Sequence, residues 1–117
     1  MIEIILGSKN KERVLLYIYA RKEGYGLEIS RYFNTSLSPI QNQLDNLEKG
    51  GVLSSKLIGK TRMYYFNPRY PYLMEISSIL EKVIYFLPED EREKLLIYRK
   101  RPRRKGKKLW NLLKKWI

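Results

Sequence analysis

Leu37-Ser38-Pro39-Ile40-Gln41-Asn42-Gln43-Leu44-Asp45-Asn46-Leu47-Glu48-Lys49-Gly50-Gly51 decides how this 117-residue chain is read. Ser38 is a helix-capping residue, and Pro39 follows at the first helical position, where its missing N–H costs nothing. Ile40, Leu44 and Leu47 recur at i, i+4 and i+7, which places them on one apolar face. Gly50-Gly51 ends the helix, because glycine takes the left-handed backbone that a helix stop requires. The other faces carry Gln41, Asn42, Gln43, Asp45, Asn46 and Lys49. The segment is a short rod, apolar on one side and polar on the rest.

Upstream, Ser8 caps a helix predicted over 9–23, with Gly24 at its end. Val14, Leu15, Ile18 and Tyr19 lie on one side of it. A second, shorter helix covers 27–33 through Leu27, Ile29, Tyr32 and Phe33, and Asn34-Thr35-Ser36 turns the chain into the third. Downstream of Gly51 the hydrophobic period changes to two. Strands are predicted at 52–58 and 61–67 around Gly59-Lys60. Tyr64 and Phe66 share one face of this ribbon, Met63 and Tyr65 the other.

Pro71 then opens a helix running to residue 87. Leu73, Ile76, Leu80, Val83 and Leu87 step by three and four along it, a heptad seam suited to dimerisation. The alternative is a fourth helix packed on its own domain, and the two are compatible, since Ile79, Ile84 and Phe86 supply a second apolar face. Pro88 restarts a helix whose acids Glu89, Asp90 and Glu91 sit at its positive end, with Leu95 and Leu96 following. The expected organisation is a first part over 1–70, dimerisation helices over 71–98 and a basic tail over 99–117.

The charge is uneven. The chain has 24 Lys and Arg against 12 Asp and Glu, a net of +12. Residues 1–98 hold 14 basic and 12 acidic side chains, whereas 99–117 hold 10 basic and none acidic. The tail run is Arg99, Lys100, Arg101, Arg103, Arg104, Lys105, Lys107 and Lys108, a block of like charge suited to an arm on nucleic acid. Leu109, Trp110, Leu113, Trp116 and Ile117 give a last amphipathic stretch, which docks on protein or lies at a membrane surface.

There is no Cys and no His. Disulfides, thiolate nucleophiles, imidazole bases and Cys/His zinc sites are therefore absent. No nucleophile–base pair or phosphate-binding loop is legible, so neither an enzyme nor a cofactor is expected. No apolar run approaches the length of a membrane span, and no signal peptide is read at the N-terminus. The expectation is a cytoplasmic protein with an anionic partner and no membrane one.

Three helices followed by a two-stranded ribbon, carried by the stretch 37–53 and by Ile58-Gly59-Lys60-Thr61-Arg62-Met63-Tyr64-Tyr65-Phe66-Asn67, resemble winged helix-turn-helix regulators. The ArsR-like and MarR-like set is the most similar, over residues 14–68. The implied fold class is mainly α with a small β-hairpin wing, followed by C-terminal helices. The resemblance implies a homodimer on double-stranded DNA, with helix three over 38–49 in the major groove and the wing over 58–62 on the backbone. Base-reading positions would be Ser38, Pro39, Gln41, Asn42, Gln43 and Asp45, with Ser36 also among the DNA-binding residues. Gln and Asn pair bidentately with adenine. Arg31, Lys56, Lys60, Thr61 and Arg62 would hold phosphates. Helix three departs from the family in having no Arg, and its one Lys is Lys49 at the far end. The family's soft-metal sensors use Cys and His ligands, which this chain lacks. Winged helices also serve as RNA-binding or protein-adaptor modules, antitoxin-like ones among them, in which helix three is not a DNA reader.

Overall fold

The computed structural model describes residues 1–97. The basic run over 99–108 and the amphipathic stretch over 109–117 lie outside the described residues.

The elements are α1 (Glu3–Leu6), α2 (Lys9–Arg21), β1 (Glu23–Gly24), α3 (Gly26–Tyr32), α4 (Leu37–Lys49), β2 (Leu53–Ile58), β3 (Thr61–Phe66), α5 (Leu73–Tyr85) and α6 (Glu89–Leu96). This is the expected winged-helix class, mainly α with a small antiparallel sheet. Among the described residues no helix is long and apolar enough to cross a membrane.

The α2 helix is the centre of the molecule. Ser8 caps it, its side chain accepting the Lys11 N–H at 3.1 Å. Val14, Leu15, Leu16, Tyr17 and Ile18 are all buried, so the helix is enclosed rather than apolar on one side only. It meets α1, α4, α5, α6 and the sheet. Lys22, at a φ of 76, ends it two residues earlier than the spacing predicts. Glu23 and Gly24 then extend and pair with Tyr65 and Tyr64, making a third strand beside the ribbon in the order β1-β3-β2. Gly24 is needed there, because a Cβ would meet ring carbons of Tyr17 at 2.9 and 3.0 Å.

The turn from α3 to α4 places Asn34 in the left-handed region, at a φ of 54. Helix α4 begins two residues earlier than expected. Ser36 stands at the N-cap in extended backbone, Leu37 opens the helix, and Ser38 and Pro39 fall inside the first turn. Proline is still tolerated, since first-turn N–H groups have no partner within the helix. At the other end Val52 N–H donates to the Leu47 carbonyl at 2.9 Å and Gly51 N–H to that of Glu48 at 3.0 Å. Gly51 sits at a φ of 82, which makes this a glycine-stopped helix end. Ile40, Leu44 and Leu47 are buried as their spacing requires. Strands β2 and β3 pair from Leu53–Phe66 to Ile58–Thr61 around Gly59-Lys60.

The seam expected to dimerise packs first within the single chain. Leu80 is 0% exposed and Val83 5%, both packed within the single chain's core, with Ile76 and Leu87 against its edge. A 3-4-3-4 spacing marks an apolar face, and the chain's own α2 takes that face. The outward side of α5 carries Ile79 and Phe86, exposed at 46% and 62%, whereas Ile84 of the second apolar face is buried. Helix α6 is fastened by Arg21, whose Nε donates to the Leu95 carbonyl at 2.9 Å and Nη2 to that of Lys94 at 3.0 Å. The same guanidinium lies over the rings of Tyr17 and Tyr32.

Candidate nucleic-acid interface

With Ile40, Leu44 and Leu47 fixed inward, helical geometry decides where each polar side chain of α4 points. The face opposite the core carries Ser38, Asn42, Asp45 and Lys49 at i, i+4, i+7 and i+11, all exposed. Gln41, Asn42 and Gln43, adjacent in sequence, leave the helix in three directions. Only Asn42 lies on the exposed stripe.

Gln41 turns toward the sheet. Its Nε2 donates to the Tyr64 phenol oxygen at 3.0 Å and to Asp45 Oδ1 at 3.2 Å. Tyr64 in turn donates its O–H to Asp45 Oδ1 at 3.2 Å. Burial pushes the Tyr64 phenol up from its ordinary value, so it stays protonated and available as this donor at neutral pH. A side chain at Gly26, where α3 begins, would run into the Gln41 amide oxygen. Gln41 is therefore committed to internal bonds. Gln43 is half-buried on another flank, and its Oε1 is buried with no hydrogen-bond partner among the described residues.

The wing is tied to the same helix. Ser55 donates its hydroxyl to Glu48 Oε2 at 2.7 Å and accepts from Arg62 Nη1 at 3.0 Å. Side chains alternate across a ribbon, and the register puts Arg62 and Ser55 on the face toward α4. Lys56, paired with Met63, falls on the opposite face. There its Nζ lies 3.6 Å from Glu23 and 5.3 Å from the Tyr65 ring centroid. Thr61 shares the Lys56 side, and Lys60 is exposed at the tip beside Gly59, whose φ is 64. The five residues proposed for phosphate contact thus do not form one patch. Arg62 lies on the α4 side, Thr61 and Lys56 on the other face with Lys56 paired to Glu23, Lys60 at the tip, and Arg31 exposed at the end of α3.

Sequence reasoning missed three features here. Tyr64 anchors the polar side of α4, Glu48 receives the wing through Ser55, and the wing tip exposes Leu57 and Ile58 at 61% and 50%. The Gln41–Asp45 spacing of four was the one legible trace of the first.

No protein-family model and no curated protein matches the sequence. Among solved structures, a mutant of ZitR from Lactococcus lactis in apo form is similar over 99% of this chain and 89% of that chain, with a TM-score of 0.52 and 12% identity. Another structure of a Lactococcus lactis ZitR mutant covers 93% of this chain and 75% of that one, with a TM-score of 0.48 and 12% identity. The likeness to the first agrees with the element order and the sheet topology, and the fold of this chain is a winged helix.

Proposed function

We propose that this chain is a sequence-specific regulator of transcription that binds double-stranded DNA as a homodimer. Helix α4 enters the major groove and the ribbon over 58–62 lies on the backbone. The observation that carries this reading is the exposed stripe Ser38, Asn42, Asp45 and Lys49, held on a helix whose opposite face is locked into the core. A rod with a polar outer face and a fixed inner one is what groove reading needs. Arg62, linked to α4 through Ser55 and Glu48, the exposed Lys60 at the wing tip and the net charge of +12 suit a polyanion. Apolar side chains left outside the core support a dimer. Ile4 and Ile5 on α1 are 90% and 81% exposed, and Ile79 and Phe86 project from α5. The basic tail over 99–108 would add phosphate contacts without reading bases.

A second reading is favoured by Leu57 and Ile58 at the wing tip. Two large exposed apolar side chains suit a protein partner, as in a winged-helix adaptor, better than a phosphate backbone. Competition separates the two. Labelled duplex DNA of random sequence is bound at low salt and challenged with unlabelled duplex DNA, RNA or neither. Retention against RNA and displacement by duplex DNA supports the regulator. No DNA binding at all supports the adaptor, and displacement by RNA at equal mass points instead to an RNA-binding winged helix.

A further inference from the structure

We propose that Asp45 is the specificity-determining residue of α4 and that it selects cytosine through the base's exocyclic amine. This rests on the DNA-reading role proposed above and names the base that role requires.

A carboxylate only accepts hydrogen bonds. Asp45 stands in the middle of the exposed stripe, between Asn42 and Lys49. Both of its protein donors, the Gln41 amide and the Tyr64 phenol, converge on the same oxygen, Oδ1, at 3.2 Å each. Among the described residues Oδ2 receives no hydrogen bond. The carboxylate is thus oriented from behind, with one oxygen saturated by the protein and the other open to the outside. Its orientation is not left to rotamer freedom. Tyr64 is buried in β3, so the phenol that aims Asp45 is itself rigid.

An open acceptor facing the major groove selects for a donor. Guanine presents two acceptors there and thymine one, and a carboxylate is repelled by both. Adenine offers its N6 amine but sets the N7 acceptor next to it. Cytosine offers the N4 amine with no neighbouring acceptor on its own edge. The same charge explains why α4 can lack Arg. A carboxylate on the reading face is unfavourable near phosphates everywhere except where a donor meets it, so discrimination comes from rejecting the wrong bases. Tyr64 acts as a positioning residue, through Asp45.

The test is selection of bound duplexes from a random DNA pool by the full chain, by Asp45→Asn and by Tyr64→Phe, with helical content checked for each. The parent should enrich a motif in which one position per half-site is cytosine, by about tenfold over other bases. In Asp45→Asn the two inward donors hold the amide oxygen, which turns the NH2 group outward. A donor then faces the groove, and the preference should move from cytosine to guanine or thymine at that position alone. Tyr64→Phe should keep cytosine as the preferred base but lower its preference several-fold, leaving other positions of the motif unchanged. A stability loss alone would weaken all sequences equally and would not change that ratio. An Asp45→Asn protein that enriches the parent's motif unchanged overturns the assignment of Asp45 while leaving DNA reading intact. A parent that enriches no motif overturns the DNA-reading role itself, and the assignment of Asp45 with it.

Discussion

The phenol of Tyr64, on the central strand of the sheet, donates to the carboxylate of Asp45, on the outer side of α4, across 3.2 Å. With Gln41 Nε2 bonded to both, three residues from two elements close a triangle between the core and the outer surface. Gln41 and Tyr64 are spent inside it, and Asp45 keeps one carboxylate oxygen toward the outside.

Gln41→Ala and Asn42→Ala should therefore differ in what they do to stability. Gln41→Ala removes the bond to Tyr64 and should lower folding stability by about 1 kcal/mol, read from urea melts. Asn42→Ala should leave stability within about 0.5 kcal/mol and weaken binding by about 1–3 kcal/mol at a single base position. A Gln41→Ala protein that melts like the parent, with Asn42→Ala the less stable of the two, would reverse the assignment.

On α5 the two apolar faces predict different failures. Leu80→Asp puts an unpaired carboxylate in the core and should cost more than about 4 kcal/mol, enough to abolish a cooperative melt. Ile79→Asp combined with Phe86→Asp should keep the fold and its melting temperature at low concentration. Sedimentation of that double variant should show a monomer where the parent shows a dimer. A parent that already sediments as a monomer at micromolar concentration removes the dimer from the proposal.

Arg21 binds α6 through two carbonyls of its last turn and lies over Tyr17 and Tyr32. Arg21→Ala should cost about 2–3 kcal/mol and free α6 to exchange its amide hydrogens early, with α4 still protected. Arg21→Lys should not restore protection, because an ammonium cannot span both carbonyls while stacking on the rings. Unchanged exchange in α6 would show that Leu95 and Leu96 alone secure it.

On the wing, Lys60 and Arg62 differ in what holds them. Lys60→Ala should reduce the slope of log K against log salt by about 0.9 on every DNA sequence alike. Arg62 is fastened to Ser55 and through it to Glu48, so Arg62→Ala should also loosen the wing. That variant should raise exchange rates in β2 and β3, which Lys60→Ala should not.

Local signals were legible in the sequence, and distant ones were not. The Ser8 cap, the Gly50-Gly51 stop and the Gly59-Lys60 turn depend on residues a few positions apart, and each stands where it was expected. Both Ser36 and Ser38 are capping residues, and only the path of the chain out of the Asn34 turn selects Ser36. The Glu23–Gly24 strand exists because Tyr65 and Tyr64, far along the chain, offer an edge. The seam on α5 was visible as apolar spacing, but spacing does not say whose helix covers it. Likewise Gln41 reads as a free amide until Tyr64, 23 residues on, is brought beside it.

The most direct measurement of the central claim is selection of bound duplexes from a random DNA pool, followed by the spacing of what is enriched. The expected result is a motif with two-fold symmetry whose half-sites repeat about one DNA turn, roughly 34–36 Å, apart, as a dimer presenting two α4 helices requires. Enrichment of no sequence, with binding that depends on salt alone, would contradict it.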